Sequence, residues 1–132
     1  MKAMRIIGAL IVVSMLASRA AVADVKRHAS IPEPLQGSWA LNSDDCKSDD
    51  KSVIVLAAKA YTSAETTCAV DWVAETAGPR GPNYSAHLQC PSQPGQQPSV
   101  TNLIIQANTG KQISIGSDFS NLRTYQKCPA KE

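Results

Sequence analysis

The sequence predicts an all-β protein, a small antiparallel up-and-down β-barrel of about six to eight strands stapled by two disulfides. Two observations carry this prediction. Between Leu35 and Cys128, apolar residues recur in short alternating or β-branched runs, separated by Gly, Pro, Asn and Asp. The same region holds an even number of cysteines, as in small exported disulfide-bonded domains. These are Cys46, Cys68, Cys90 and Cys128.

The N-terminal segment has the pattern of a secretory signal peptide. Lys2 and Arg5 precede an apolar run over residues 6–17, and Ala21-Val22-Ala23 forms an A-x-A cleavage site. We therefore expect residues 1–23 to be removed and the mature chain to be periplasmic or secreted, without a membrane span. The alternative is an uncleaved anchor, although the apolar run is shorter than the roughly 20 residues that a membrane-spanning helix needs.

Removal of this segment changes the charge of the protein. The chain has 13 Lys and Arg residues against 11 Asp and Glu. Three of the basic residues, Lys2, Arg5 and Arg19, lie in the predicted signal peptide, so ten remain and the net charge becomes −1. We therefore expect no nucleic-acid partner, because such partners require a basic surface.

Three short strands are predicted in the first half of the mature chain. Leu35, Gly37, Trp39 and Leu41 share one face of the first strand. Residues 53–56 form the second strand and residues 61–62 a short third one. We expect Trp39 to fill the floor of a barrel domain that spans residues 35–132.

The segment from Cys68 to Cys90 predicts a hairpin centred on Pro79. With that centre, apolar side chains of both strands collect on one face, and a slip by one residue would mix the two faces. The opposed pairs are Cys68–Cys90, Val70–Leu88, Trp72–Ala86 and Ala74–Tyr84. This register places Trp72 in the core, and it predicts a cross-strand disulfide between Cys68 and Cys90.

A second hairpin is predicted over residues 102–116, with its turn at Asn108-Thr109-Gly110. Centred on Thr109, it pairs Leu103 with Ile115 and Ile105 with Ile113, and all four side chains join the core. The remaining cysteines, Cys46 and Cys128, follow the first strand and end the last one. A disulfide between them implies that the first and last strands meet, which closes a barrel.

Two segments are expected to lie outside the barrel. Residues 24–34 are polar, end in Pro-x-Pro and form an extended N-terminal arm. Residues 91–98 form a loop rich in Pro and Gln. Both are candidate contact surfaces, and Val25, Lys26, Arg27 and His28 are the candidate binding residues of the arm. The alternative is that both segments are simply solvated.

No motif for chemistry stands out. His28 and His87 have no clustered ligands, so we expect no metal site, no cofactor and no catalytic residue. The acidic loop with Asp44, Asp45, Asp49 and Asp50 lacks the spacing of an EF-hand. Asp71 and Glu75 are too far apart along one strand for a glycosidase pair.

The opening of the barrel resembles a known family. Leu35-x-Gly37-x-Trp39-x-Leu41 followed by Cys46, after an extended arm, is similar to the start of Inh-type periplasmic inhibitors of serralysin-like metalloproteases. That resemblance implies an eight-stranded barrel whose arm enters a protease active site. The chain also looks like small exported alphaproteobacterial proteins of unassigned function that share Gly-x-Trp, interior cysteines and a final Tyr-x-x-Cys, here Tyr125 to Cys128.

We therefore expect an exported, non-enzymatic binding protein, inhibitor-like in character, with a protein partner in the cell envelope or outside the cell. One alternative is a lipocalin-like carrier of a small ligand. Against it, the inward side chains are mainly Val, Leu, Ile and Ala, which fill a barrel of this size. The other alternative is a weak hydrolase that uses His87 or Asp71.

Overall fold

The structure is a computed structural model that describes residues 25–47, 52–64, 66–109 and 111–129. Within these residues it contains nine β-strands and two short 3₁₀ helices, Glu33–Leu35 and Ser43–Cys46. In chain order the strands are β1 (Lys26–His28), β2 (Gly37–Ala40), β3 (Ile54–Leu56), β4 (Ala60–Thr62), β5 (Thr67–Gly78), β6 (Gly81–Cys90), β7 (Ser99–Thr109), β8 (Gln112–Gly116) and β9 (Arg123–Lys127).

Strands β2 to β9 form a closed antiparallel barrel. Each strand pairs with the next one along the chain, and β9 pairs with β2 to complete the circle. This is the up-and-down arrangement in which hairpins follow one another. The prediction of an all-β barrel is confirmed.

Both predicted disulfides are present. Cys68–Cys90 joins the two strands of the β5–β6 hairpin, and its Cα atoms are 4.3 Å apart. Cys46–Cys128 links the segment after β2 to the end of β9, across 82 residues of sequence. This second bond lies beside the β2–β9 pairing, where the Cys128 backbone N–H donates to the Ser38 carbonyl. The closing seam of the barrel is therefore fixed covalently. Two such bonds indicate an oxidising compartment.

The β5–β6 hairpin follows the predicted register only near its disulfide. Val70 faces Leu88, as predicted, but the register then shifts by one residue between Val70 and Trp72. Beyond this β-bulge, Trp72 faces His87 and Val73 faces Ala86. The bulge reverses the alternation of inner and outer side chains along β5. Val73 is consequently fully buried, and Trp72 lies half-buried on the outer face instead of in the core.

The β7–β8 hairpin differs from its prediction by one step of pairing on each strand. Ile105 faces Ile115 and Ala107 faces Ile113. Because the sum of paired residue numbers changes by two, the same side chains stay on the inner face. Leu103, Ile105, Ile113 and Ile115 are all buried in the barrel.

The barrel interior is filled with apolar side chains. Trp39 is buried at its floor, and its indole N–H donates to the Leu35 carbonyl at 3.0 Å. Gly37, two residues earlier, has a φ of +138°, a conformation that explains why glycine precedes this Trp. The core cluster comprises Ile31, Leu35, Trp39, Ile54, Leu56, Cys68, Val70, Val73, Ala86, Leu88, Leu103, Ile105, Ile113 and Ile115.

The N-terminal arm is extended but belongs to the folded unit. Residues 26–28 form β1, which pairs with residues 73–75 of β5. Ile31 then enters the core with only 1% of its surface exposed, and its backbone N–H donates to the Ala58 carbonyl. The polar composition of residues 24–34 does not show this, because one apolar side chain provides the anchor. The arm therefore contributes to the barrel instead of lying outside it.

The predicted signal peptide, residues 1–23, lies outside the described residues. Among the described elements, no helix is both long and apolar enough to cross a membrane.

Candidate functional site

The end of the barrel that carries the tip of the β5–β6 hairpin forms an open cleft, which we call the mouth. The cleft has a volume of about 600 Å³. Its lining comes from β1 and from the two sides of the hairpin: Lys26, Glu75, Ala77, Gly78, Gly81 and Pro82. The arm thus supplies one wall of the mouth and the hairpin supplies the other.

Strand register decides which side chains face the mouth. Glu75 lies two residues beyond the buried Val73 on β5, so both side chains point to the interior side of the sheet. Lys26 on β1 and Tyr84 on β6 are the cross-strand partners of Glu75, and directly opposed residues share a face. A row of polar side chains therefore crosses three strands above the apolar core.

Glu75 is the centre of this row. The His28 Nε2 atom lies 3.2 Å from one of its carboxylate oxygens, and the Lys26 ammonium lies 4.0 Å from the other. The Tyr84 hydroxyl also hydrogen-bonds to Glu75. The Glu75 side chain is 21% exposed, whereas that of Lys26 is 72% exposed. The mouth thus presents a fixed acceptor beneath a mobile cationic donor.

The environment of Tyr84 favours its neutral form. Burial raises the pKa of Tyr84 above the usual 10.0, and the negative charge of Glu75 and the hydrogen bond to it raise the pKa further. Tyr84 is therefore a hydrogen-bond donor to Glu75 throughout the physiological pH range. The tyrosine holds the carboxylate in place from the β6 side.

A second cluster lies on the outer surface behind the mouth. The Arg27 guanidinium is 3.8 Å from the centre of the Trp72 ring, and the His87 ring stacks on Trp72 with centroids 3.5 Å apart. Arg27 comes from β1 and His87 from β6, the strands on opposite flanks of β5. The Trp72 ring is therefore covered on both faces, and the cluster fastens the arm to the hairpin.

The predicted binding residues of the arm are divided between these two clusters. Lys26 and His28 point into the mouth, and Arg27 lies on the outer surface. Val25 is 60% exposed at the start of the described chain. The arm thus has an anchoring face, which holds β5, and an inner face, which lines the cleft.

The prediction from sequence missed Glu75 and Tyr84 as partners. A regular hairpin places Glu75 on the outer face and Tyr84 on the inner face. The bulge moves Glu75 inward by the same step that moves Trp72 outward. No residue in this stretch marks the bulge in the sequence, so alternation alone could not have found the cluster.

Two other candidate groups remain dispersed. Asp71 is exposed at the bulge, and His87 faces Trp72 instead of Asp71. Of the acidic loop, Asp49 and Asp50 lie outside the described residues, and Asp44 and Asp45 lie in the second 3₁₀ helix. The described residues contain no group of three or more His, Cys, Asp or Glu that could hold a metal ion.

Comparisons with protein-family models, with curated proteins and with solved structures found no match to this chain.

Proposed function

We propose that the protein is an exported, non-enzymatic binding protein that engages a protein partner at the mouth of its barrel. The observation that carries this proposal is the cleft itself. The folded chain uses its own N-terminal arm as one wall of a cleft above a filled core. An oxidising compartment, indicated by the two disulfides, agrees with an exported protein.

The filled interior favours a surface partner over an internal ligand. Lipocalin-like carriers hold their ligand inside the barrel, in a cavity that inward side chains leave empty. Here bulky residues from both halves of the chain occupy that space, including Trp39 at the floor and Ile105 at full burial. The mouth is shallow and open by comparison, and it suits a projecting loop or chain end of another protein.

The chemistry of the mouth defines what such a segment offers. Lys26 provides an exposed cation, and Glu75 provides a positioned carboxylate. Ala77 and Pro82 add an apolar wall between the two hairpin strands. A partner segment with a carboxylate or carbonyl for Lys26, next to a small apolar side chain, complements these groups.

An inhibitor-like role is the sharper form of this proposal. The resemblance to Inh-type inhibitors implies insertion of an N-terminal arm into a protease cleft. In this chain the arm is held by strand pairing, by Ile31 and by the Arg27–Trp72–His87 stack. Anchoring of this kind reduces the entropy lost when the segment binds, which favours tight association. Val25 and the mouth would then form one continuous contact surface.

The hydrolase alternative is not supported by its predicted residues. Asp71 and His87 lie on the outer side of β5 and β6, and the His87 ring is engaged with Trp72. The His28–Glu75 pair in the mouth has the contacts of an acid–base pair, so hydrolysis lost on Glu75→Gln would be the observation in favour of this alternative.

The experiment is affinity capture with matched surface variants. The bait is residues 24–132 with both disulfides formed, incubated with envelope extract and culture supernatant. Ala77→Arg places a bulky cation in the mouth, and Ala69→Arg makes the same change at an exposed position on the outer face of the same strand. Circular dichroism and disulfide mapping check that both variants fold.

We expect a protein that binds the unmodified bait and the Ala69→Arg control equally, with binding to Ala77→Arg weakened about tenfold or more, which corresponds to about 1.4 kcal/mol. If the captured protein is a protease, its activity should fall in the presence of the unmodified chain. Equal binding by both variants would move the contact surface away from the mouth. A small molecule retained by the chain, with no protein captured, would support the carrier instead.

A further inference from the structure

The end of the barrel opposite the mouth has an open strand edge. Strand β7 pairs with β6 over residues 99–106, whereas β8 pairs with β7 only from Ile104 onwards. Residues 99–103 therefore have a neighbouring strand on one side alone. In the part of the chain that the structure describes, no other backbone–backbone hydrogen bond involves these five residues.

Staggered strands produce such overhangs, and this barrel has a second one that is covered. At the mouth, β5 extends beyond β4, and β1 pairs with the extension through residues 73–75. Exposed edges favour pairing with other chains, so proteins commonly cover or block them. The chain covers the overhang of β5 with its own arm and leaves that of β7 open.

The open edge carries none of the usual blocking residues. Strand β7 contains no charged residue and no proline over residues 99–109. Its first part is β-branched and exposed, and the Val100 side chain is 73% exposed on the outer face. Lysine, inward-pointing charge and proline are the common means by which edge strands avoid association. Their absence leaves this edge competent to pair.

An apolar side chain flanks the start of the open edge. Strand β8 ends at Gly116, opposite Ile104, and the chain then enters a turn in which the Asn121 backbone N–H donates to the Asp118 carbonyl. Phe119 lies in this turn and is 60% exposed. Val100 and Phe119 are two of the four large hydrophobic side chains that are exposed in the described residues.

We propose that residues 99–103 pair with the same residues of a second copy of this chain, so that two barrels share a continuous antiparallel sheet. A two-fold axis at the edge makes the two β7 strands antiparallel, and antiparallel strands form the better ladder. With the axis at Thr101, Val100 lies opposite Asn102 of the second copy. No like charges meet, because neither strand carries any.

The uncharged edge favours a second copy over a charged partner segment. An ionic peptide would gain no complementary contact from residues 99–103, whereas an identical neutral strand satisfies the free backbone groups on both sides. The axis lies at the far end of β6 and β7 from the hairpin tip, so both mouths stay open. The dimer would present two mouths at once.

The test measures mass and backbone protection on residues 24–132 with both disulfides formed. Sedimentation equilibrium over a wide concentration range gives the mass, and hydrogen–deuterium exchange at low and high concentration locates the interface. Val100→Lys with Asn102→Lys blocks the edge. Val55→Lys is the matched control, because Val55 is 38% exposed on β3, which is paired on both sides.

We expect the mass to rise from one chain to two with concentration, and exchange within residues 99–103 to slow in step. The double lysine variant should weaken the dimer at least tenfold, while Val55→Lys leaves it unchanged. A chain that stays monomeric at every concentration would overturn the proposal. So would a dimer that leaves residues 99–103 unprotected, or that forms equally well with both lysines in place.

Discussion

Asp71 marks the point at which the two faces of β5 exchange roles. The β-bulge at this residue turns Val73 and Glu75 inward and leaves Trp72 on the surface. One extra residue thus creates the carboxylate of the mouth and the outer stack that holds the arm. Both clusters depend on the same local irregularity.

The titration of Tyr84 tests the geometry of the mouth. Burial and Glu75 raise the pKa of Tyr84 above 10.0. Because the folded pKa lies above the unfolded value, this group adds stability below pH 10, and the contribution is lost as pH rises through the folded pKa. We expect Glu75→Gln to lower the pKa of Tyr84, measured by tyrosinate absorbance with Tyr84→Phe to assign the change.

Tyr61 provides the internal control for this titration. Its pKa is also raised, by burial and by Tyr125, without a contribution from Glu75. Glu75→Gln should therefore leave the titration of Tyr61 in place. A Tyr84 titration that does not respond to the substitution would mean that the two side chains are not neighbours.

The limits of the sequence prediction are clearest at single residues. Trp39 and the four isoleucines and leucines of the β7–β8 hairpin follow regular alternation, which persists when the register moves by one pair. Trp72 follows the same pattern in the sequence and still lies outside, because a bulge leaves no compositional trace. Ile31 was missed for a different reason: its neighbours are polar, and its burial depends on a contact with Ala58 that is distant in sequence.

The arm is the element whose role changes most between sequence and structure. Three backbone pairs join β1 to β5, and Ile31 fixes the far end of the arm in the core. Removal of the whole arm would therefore unfold part of the barrel as well as removing a contact surface. Surface substitutions in the mouth separate binding from stability better than truncation does.

Substitution of Ile31 measures how firmly the arm is anchored. Ile31→Ala should lower the free energy of unfolding by about 2–5 kcal/mol, the usual cost of truncating a buried isoleucine. The matched control is Val55→Ala, because Val55 is an exposed aliphatic residue and should cost about 0.5 kcal/mol or less. Urea denaturation gives both values. Equal costs would contradict the burial of Ile31.

The two disulfides should differ in their contribution to stability. In the chain-entropy model, closing a loop of 82 residues restricts the unfolded chain by about 4.5 kcal/mol, and a loop of 22 residues by about 3.4 kcal/mol. Replacing Cys46 and Cys128 by Ala should therefore destabilise the barrel more than replacing Cys68 and Cys90. Paired denaturation curves check the order, and a reversed order would show that strain or packing outweighs loop entropy.

At the scale of the whole molecule, cysteine positions and strand alternation were enough to predict closure. Cys46 and Cys128 flank the first and last barrel strands, so their bond requires the two ends of the sheet to meet. The staggering of the strands was not predictable, because it depends on barrel tilt and shear. That staggering produces both overhangs, the one that β1 covers and the one that β7 leaves open.

The two ends of the barrel have different chemistry as a result. The mouth carries polar and charged side chains above an apolar core, within reach of the arm. The opposite end carries a neutral open edge with Val100 and Phe119 beside it. We propose partner binding at the first and self-association at the second.

Amide exchange in the arm tests the central claim most directly, because the mouth exists only if β1 is paired. In the mature chain at low concentration, we expect the amides within residues 26–28 that point toward β5 to exchange slowly, together with their partners in residues 73–75. Slow exchange there would show that the arm is a built-in strand and one wall of the cleft. Exchange of all three arm amides at the rate of an unfolded peptide would contradict the account, because the arm would then be free and the mouth would lack its wall.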